Sequence, residues 1–196
     1  MALSVEHGFG QYFSHGKLLH GWALVAQGQG DEGVDQMRQG LTSYYEATGS
    51  AIWRPCFLAV LAEGYRQAGA TDEGLQVLAE ALAAVQQTGE HVWEAELHRL
   101  QGELMLQTRR QPPEPRGDLA HVAEAEACLH QALAVARRQQ ARALELRAAT
   151  SLARLWQQQG KRAEAHSLLA PIYGWFTEGF DTTDLQEAKA LLDTIS

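Results

Sequence analysis

Residues 48–55 read TGSAIWRP, and residues 88–95 read TGEHVWEA. The Thr-Gly pair of the first stretch and its apolar-Trp pair both return about forty residues later in the second. The surrounding sequence is rich in Ala, Leu, Gln and Glu, which favour helices over strands. A phrase that recurs at this distance in such a chain indicates that a helical unit has been duplicated.

Four glutamates mark equivalent places in the predicted units, and a small residue follows each of them. A large apolar residue comes four positions after the small one, and a second residue, small in three of the four units, comes three positions after that. This spacing puts the three side chains on one helix face that another backbone can approach closely. The four glutamates are Glu32, Glu73, Glu124 and Glu164.

A partner helix lies upstream of each glutamate and carries a small residue one turn before a large one. Gly28, Gly69 and Gly160 follow three of these helices, which predicts left-handed C-caps. Asp31 and either Thr71 or Asp72 are predicted to cap the next helix from its N-terminal side. Glycine inside a helix costs about 1 kcal/mol relative to alanine, so close helix contact is expected at those positions. These glycines are Gly21, Gly33, Gly64, Gly74 and Gly102.

Aromatic residues occupy one equivalent position near the start of three predicted first helices. They are Tyr12, Trp53 and Trp93, and Leu144 takes the same place in the fourth unit. A stack of aromatics could bind a ligand, but aromatics more often dominate packing. We predict that this column forms core between repeats.

These patterns predict an all-α fold, a right-handed α-α superhelix (solenoid) of about four helix-turn-helix repeats with a C-terminal capping helix. The repeats cover residues 1–180, and the capping helix covers residues 181–196. The predicted units lie at about 8–47, 50–88, 90–139 and 141–178. Residues 1–8, MALSVEHG, align with the tail of a second helix, so we expect the chain to continue a longer repeat array.

Two segments interrupt or end the predicted array. Residues 108–120 contain three prolines, which stop a helix, so a solvated loop is predicted there. Asp181 or Thr182 is predicted to cap the last helix, with Asp184 and Glu187 facing water. Its inner apolar stripe is formed by Leu185, Ala188, Leu191 and Leu192.

The small-large pattern resembles the tetratricopeptide repeat. The match is best in the second unit, although the units run to about 40 residues rather than about 34, and the usual proline after the second helix is missing. Its motif positions hold Leu61, Ala62, Tyr65, Gly74, Leu78 and Ala81.

The stretches GWALVAQGQGDEGVDQMRQGL, FLAVLAEGYRQAG and HVWEAELHRLQGEL are similar to the C-terminal repeat arms of bacterial multidomain signalling ATPases. Those include proteins linked to nucleotide cyclases and maltose-type transcription activators. The resemblance implies a non-enzymatic interaction module that binds a protein or peptide through a concave groove, as the regulatory arm of a larger bacterial signalling protein. The alternative is a sensor domain that binds a metabolite or sugar and controls an attached ATPase or cyclase.

The resemblance also implies which side chains line the groove, since the first helix of each unit forms it. The last section of such a groove would be basic and rich in amides, which suits an acidic peptide or a carboxylate. The alternative is that these charged helix faces are only solvated. The implied groove residues are His15, Trp22, Glu63, Arg66, Arg99, Glu103, Arg147, Arg154, Gln157 and Gln158.

The net charge of −8 argues against nucleic acid as the main partner, because phosphate binding depends on clustered Lys and Arg. The charge is uneven: residues 1–107 carry five basic and thirteen acidic side chains, and residues 108–176 carry ten basic and six acidic ones. A protein, a peptide or a neighbouring domain of the same parent chain is the expected partner. A homodimer through an uncapped N-terminal face is a further possibility.

No motif predicts an enzyme, a cofactor or a metal. The spacing GxGxxG at residues 28–33 follows a helix rather than the strand that a dinucleotide site requires, so it is interpreted as a turn between helices. The eight histidines show no ligand spacing. Cys56 and Cys128 are predicted to be small buried hydrophobes in a reducing cytoplasm. No apolar run is long enough to span a membrane, and no basic leader precedes an apolar stretch.

Overall fold

In a computed structural model of the chain, the structure describes residues 9–49, 52–108 and 117–196, and within them it is all α-helical with no strand. The prediction of an all-α fold is confirmed to that extent. The helices of the described ranges, numbered in chain order, are α1 (Gly10–Ala26), α2 (Gly30–Thr48), α3 (Arg54–Ala68), α4 (Thr71–Thr88), α5 (Glu94–Thr108), α6 (Gly117–Gln139), α7 (Arg142–Gln158), α8 (Arg162–Tyr173) and α9 (Thr183–Ile195), and a 3₁₀ turn covers His91–Trp93.

The chain divides into two compact units, Met1–Trp93 and Glu94–Ser196, called unit 1 and unit 2. In unit 1, α1 packs on α2 and α3 packs on α4, and α3 also contacts both helices of the first pair. In unit 2, α5 packs on α6 and α7 packs on α8, while α9 contacts both α7 and α8. Within the described residues, each unit therefore contains two helix hairpins, and unit 2 adds one further helix. The predicted superhelix remains a proposal.

The first hairpin is held by a close backbone contact between two glycines. A Cβ built on Gly21 of α1 would lie 2.5 Å from the carbonyl oxygen of Gly33 in α2, and one built on Gly33 would lie 2.6 Å from that of Gly21. No real side chain fits at such distances, so both positions require glycine. The prediction of close helix contact at Gly21 and Gly33 is confirmed.

Glycines with positive φ follow the helices where the sequence predicted them. Gly28, Gly69 and Gly160 have φ values of 85°, 78° and 80°, which confirms the left-handed turns. The capping prediction for the next helices is wrong, because Gln29 and Ala70 occupy the N-cap positions of α2 and α4 without a side-chain cap. The acidic residues lie inside the first turn of each helix and act there on the positive end of its dipole.

The core of unit 2 joins α6, α7, α8 and α9. The predicted inner stripe of the last helix is confirmed at Leu185, Ala188 and Leu191, which are buried in this core, while Leu192 packs against it half-buried. Thr182 stands at the N-cap position of α9, but its hydroxyl donates to the Gly179 carbonyl rather than accepting from the helix. The last helix therefore closes unit 2 by apolar burial.

The predicted aromatic column does not form a uniform core. Tyr12 and Trp53 are exposed, whereas Trp93 is half-buried. Trp53 is the N-cap of α3 with a left-handed φ of 67°, and its side chain is 49% exposed. Leu144 packs partly buried against Ala95 and its neighbours in unit 2.

Two sequence predictions fall on residues outside the described ranges, at least in part. The N-terminal segment MALSVEHG lies outside them, and so do residues 109–116 of the predicted loop. The remainder of that loop prediction is wrong, because Thr108 ends α5 and α6 already begins at Gly117. Among the described helices none is both long and apolar enough to cross a membrane.

Candidate functional site

Helix α1 exposes three large apolar side chains outside its packed face. Tyr12 is 66% exposed, Leu19 60% and Trp22 42%. Tyr12 and Leu19 are two helical turns apart, and Trp22 lies about one turn further along the same side. The buried side of α1 is formed by Ser14, Leu18, Gly21 and Val25. We call Tyr12, Leu19 and Trp22 the α1 outer face.

The predicted groove residues of α3 form a charged pair beside this helix. Arg66 donates to both carboxylate oxygens of Glu63, from Nε at 2.8 Å and from Nη2 at 2.7 Å. Gln67 donates to the same carboxylate at 2.7 Å. In the repeat alignment Glu63 takes the place of Trp22, so apolar and charged groups occupy equivalent positions on α1 and α3. Both side chains keep part of their surface exposed to solvent.

His15 is half-buried and lies in an aromatic cluster. Its ring centroid is 5.2 Å from that of Tyr44 and 5.0 Å from that of Phe57. Tyr44 and Phe57 themselves meet edge to face at 4.9 Å. His15 therefore links α1 to α2 and α3, and the geometry gives it a packing role.

The predicted groove residues of α5 lie inside a network of ion pairs in unit 2. Glu96 is only 5% exposed and Arg99 only 6%. Arg99 donates to Glu96 from Nε at 3.0 Å and from Nη2 at 2.7 Å, and its Nη1 lies 2.8 Å from Glu103. Charged groups that are this deeply buried are retained only when they are paired. Arg99 and Glu103 therefore stabilise the interior of unit 2.

Two residues of α7 complete this network. The guanidinium of Arg147 lies 2.8 Å from Glu96, and the Ser151 hydroxyl donates to Glu103 at 2.6 Å. Arg147 also approaches Asp184 of α9 at 3.8 Å. We call Glu96, Arg99, Glu103, Arg147 and Ser151 the α5–α7 network. It ties together two helices that the sequence separates by the whole of α6.

Helix α9 packs against the part of α7 that was predicted to form the basic section of the groove. Arg154 donates to Glu187 at 3.1 Å, and Gln157 donates to the Thr194 hydroxyl at 2.8 Å. Asp184 and Glu187 face water as predicted, with side chains 45% and 54% exposed, and they are also counter-charges for α7. Gln158 is exposed beside a cavity that Glu126 and Lys161 also line. The predicted attraction for an acidic peptide is weakened, because acidic side chains of the chain itself already balance Arg147 and Arg154.

The titratable groups with shifted pKa values show no sign of an activated nucleophile. Burial, with the Glu90 carboxylate adding to it, raises the pKa of the Cys56 thiol to about 11. Burial also raises the pKa of Cys128 and lowers the pKa of His98. A thiol with a raised pKa is protonated near neutrality and is therefore a weak nucleophile. In the described ranges no three His, Cys, Asp or Glu side chains cluster as a metal site would require.

The α1 outer face was only partly recognised from the sequence, which singled out Trp22 but placed Tyr12 in the core and passed over Leu19. The usable signal was that the large apolar residues of α1 are not confined to one stripe, although an ordinary surface helix has a single apolar stripe. Together the described residues define an all-α protein built from helix hairpins, with an apolar surface on its first helix. The chain matches no protein-family model, and a search of curated proteins returns no match.

Proposed function

We propose that the chain is a non-enzymatic helical-repeat interaction module that binds a protein partner along the first helices of unit 1. The observation that carries this proposal is the α1 outer face. Its three large side chains are exposed on a helix that is already packed through other residues. Contiguous apolar surface of this kind marks interaction sites in soluble proteins, and Trp and Tyr are enriched among the residues that dominate binding energy.

The charge of unit 1 indicates what kind of partner would fit this face. Residues 1–93 carry four Lys and Arg side chains against ten Asp and Glu side chains. An amphipathic partner helix with apolar anchors and flanking Lys or Arg would satisfy both the apolar face and the acidic surroundings. A second copy of the same acidic unit would meet charge repulsion. A basic, heterologous partner helix is therefore favoured over a homodimer.

The proposal is tested by placing a photo-crosslinking amino acid at position 19 in the full chain, expressed in its native cells. We expect one dominant crosslinked protein at this position. The matched control is position 79 on α4, where Ala79 is also exposed to solvent but lies on another helix. Equal crosslinking at the two positions would refute the proposal.

A double variant, Leu19→Ser with Trp22→Ser, checks that the apolar side chains carry the interaction. Because both side chains are exposed, the helical circular dichroism and the melting temperature should change little. The photo-crosslinking amino acid is placed at position 12 for this experiment, since position 19 is itself changed, and the crosslink to the partner should fall at least about tenfold. Light scattering on the purified protein measures its molar mass and so tests the remaining alternative, a homodimer. A crosslinked product that contains only this chain, together with a dimeric mass, would identify a homodimer instead.

A further inference from the structure

A cleft of about 410 Å³ lies in unit 1 between the helices α2, α3 and α4. Its floor is apolar, because Leu58 and Leu61 of α3 are buried beneath it. α3 packs against both other helices, which form the walls. Each helix contributes four lining residues: Arg38, Leu41, Thr42 and Tyr45 from α2, Arg54, Leu58, Leu61 and Tyr65 from α3, and Glu73, Gln76, Val77 and Glu80 from α4.

The direction of the three helices determines which of these side chains lie at each end of the cleft. Short connections join α2 to α3 and α3 to α4, so the two walls run in the same direction and the floor helix runs against them. Tyr45, Arg54 and Glu80 therefore meet at one end. Arg38, Tyr65 and Glu73 lie at the other end, two helical turns or about 10 Å away.

The end formed by Tyr45, Arg54 and Glu80 is closed by contacts within the protein. The guanidinium of Arg54 is ion-paired with Glu80 and lies over the Tyr45 ring, 4.6 Å from its centroid. These contacts connect one residue from each of the three helices. The charges at this end are balanced, and the width of the cleft is fixed there before any ligand arrives.

The opposite end carries charges that the protein does not use. Arg38 and Glu73 are both exposed, and among the residues that the structure describes neither has a hydrogen-bond or ion-pair partner. They stand on opposite walls, one cationic and one anionic. Between them and the closed end lies the apolar floor, and the hydroxyl of Thr42 and the amide of Gln76 are available along the walls.

We infer that this cleft binds a small zwitterion of the amino-acid or short-peptide class, with its carboxylate at Arg38, its ammonium group at Glu73 and an aliphatic side chain over Leu58 and Leu61. A guanidinium recognises a carboxylate through paired hydrogen bonds, and a carboxylate accepts well from an ammonium group. Because Arg38 and Glu73 stand on opposite walls at the same end, the two charged groups of the ligand lie across the cleft, and its aliphatic side chain extends along the floor. The lining includes two arginines and two glutamates, so it does not favour a polyanion such as a nucleotide.

This site is separate from the proposed protein-binding surface, because it uses none of the residues of the α1 outer face. A result at one surface therefore leaves the proposal for the other unchanged. If both are correct, the module has a partner surface and a ligand site within one compact unit. If the ligand changes the affinity for the partner, the partner then changes the affinity for the ligand by the same factor.

The first test is a thermal-shift and calorimetry series on the full chain with the dipeptide Leu-Leu at on the order of 10 mM. We expect the melting temperature to rise by about 3–5 °C, as a ligand that binds only the folded state requires. The matched probe is N-acetyl-Leu-Leu-amide, which has the same side chains without either charge and should give no shift. Maltotriose and ATP complete the series. No shift with Leu-Leu, or an equal shift with the uncharged peptide, the sugar or the nucleotide, overturns the inference.

The second test uses variants at the charged end. Arg38→Gln and Glu73→Gln should each weaken Leu-Leu binding at least about tenfold, since each removes one charge-assisted contact. Glu32→Gln is the matched control, because Glu32 lies exposed in the first turn of α2 as Glu73 does in α4 but does not line the cleft. Thr42→Trp should also abolish binding by filling the cleft from an exposed wall position. Wild-type affinity in Arg38→Gln and Glu73→Gln would overturn the inference.

Discussion

At the scale of single residues, Gly33 shows how a local cost in the sequence reveals a packing requirement. Helix propensity alone predicts that Gly33→Ala stabilises the protein by about 1 kcal/mol. The structure predicts the opposite sign, because the new Cβ would lie 2.6 Å from the Gly21 carbonyl oxygen and also 2.6 Å from a methyl carbon of Val25. We expect a loss of about 1–3 kcal/mol, measured by urea unfolding. A stabilised variant would show that the two helices are not in close contact.

The role of Arg99 could not be predicted from its neighbours. The surrounding sequence, EAELHRLQGEL, alternates charged and apolar residues, so a charged side chain there is expected at the surface. Its burial depends on Arg147 and Ser151, which come about fifty residues later and join the same network. Long-range pairing of this kind leaves no signal in a local pattern.

The α5–α7 network makes a quantitative prediction for Arg99→Ala. The change leaves the Glu96 carboxylate, which is 5% exposed, without its main partner. Breaking a buried ion pair on one side costs about 3–5 kcal/mol. Arg147 still lies 2.8 Å from Glu96 and compensates part of its charge, so we expect a loss of about 2–3 kcal/mol, below that range. The measurement is the free energy of unfolding in guanidinium chloride at neutral pH.

Arg154→Ala is the matched control for this prediction. Its pair with Glu187 is largely exposed, so the loss should be no more than about 1 kcal/mol. Equal losses in the two variants would mean that the α5–α7 network is hydrated like a surface pair. Arg99 and Arg154 were both assigned to the groove from the sequence, because residue type alone does not show whether an arginine is buried or exposed.

At the scale of elements, periodicity predicted where helices lie better than it predicted which contacts their polar sides make. The inner stripe of α9 followed from spacing alone, because its buried residues recur at three and four positions. Its acidic side was predicted to face water, and Asp184 and Glu187 do keep 45% and 54% of their side-chain surface exposed, but they also pair with arginines of α7. A helical pattern identifies the face that is buried but not the element that its polar side will meet.

The contribution of α9 is tested by Leu185→Ala, which removes a side chain buried in the core of unit 2. Deleting a buried leucine costs about 2–5 kcal/mol through lost transfer energy and the cavity that remains. Lys189→Ala on the outer side of the same helix is the control, since its pair with Asp193 is exposed and the change should leave the free energy of unfolding unchanged. Chemical unfolding of both variants decides the matter. A loss below about 1 kcal/mol for Leu185→Ala would mean that α9 is only loosely docked.

At the scale of the molecule, the sequence predicted the all-α class, because that class follows from repeated local patterns. It did not predict the cleft of unit 1. That cleft depends on Arg38, Tyr65 and Glu73 from three helices, and each of them looks like an ordinary surface or core residue within its own helix. Surfaces assembled from several helices depend on packing angles, which a single sequence does not encode locally.

The division of the chain into two compact units predicts that residues 94–196 fold without residues 1–93. The core around Leu185 draws its members only from residues 129–195, so the fragment keeps every apolar contact of that core. We expect helical circular dichroism and one cooperative unfolding transition from the isolated fragment. Leu185→Ala should cost the same in the fragment as in the full chain, within about 0.5 kcal/mol, because distant regions contribute additively. A fragment without cooperative unfolding, or a cost that differs by more than this, would show that unit 2 depends on unit 1 for its stability.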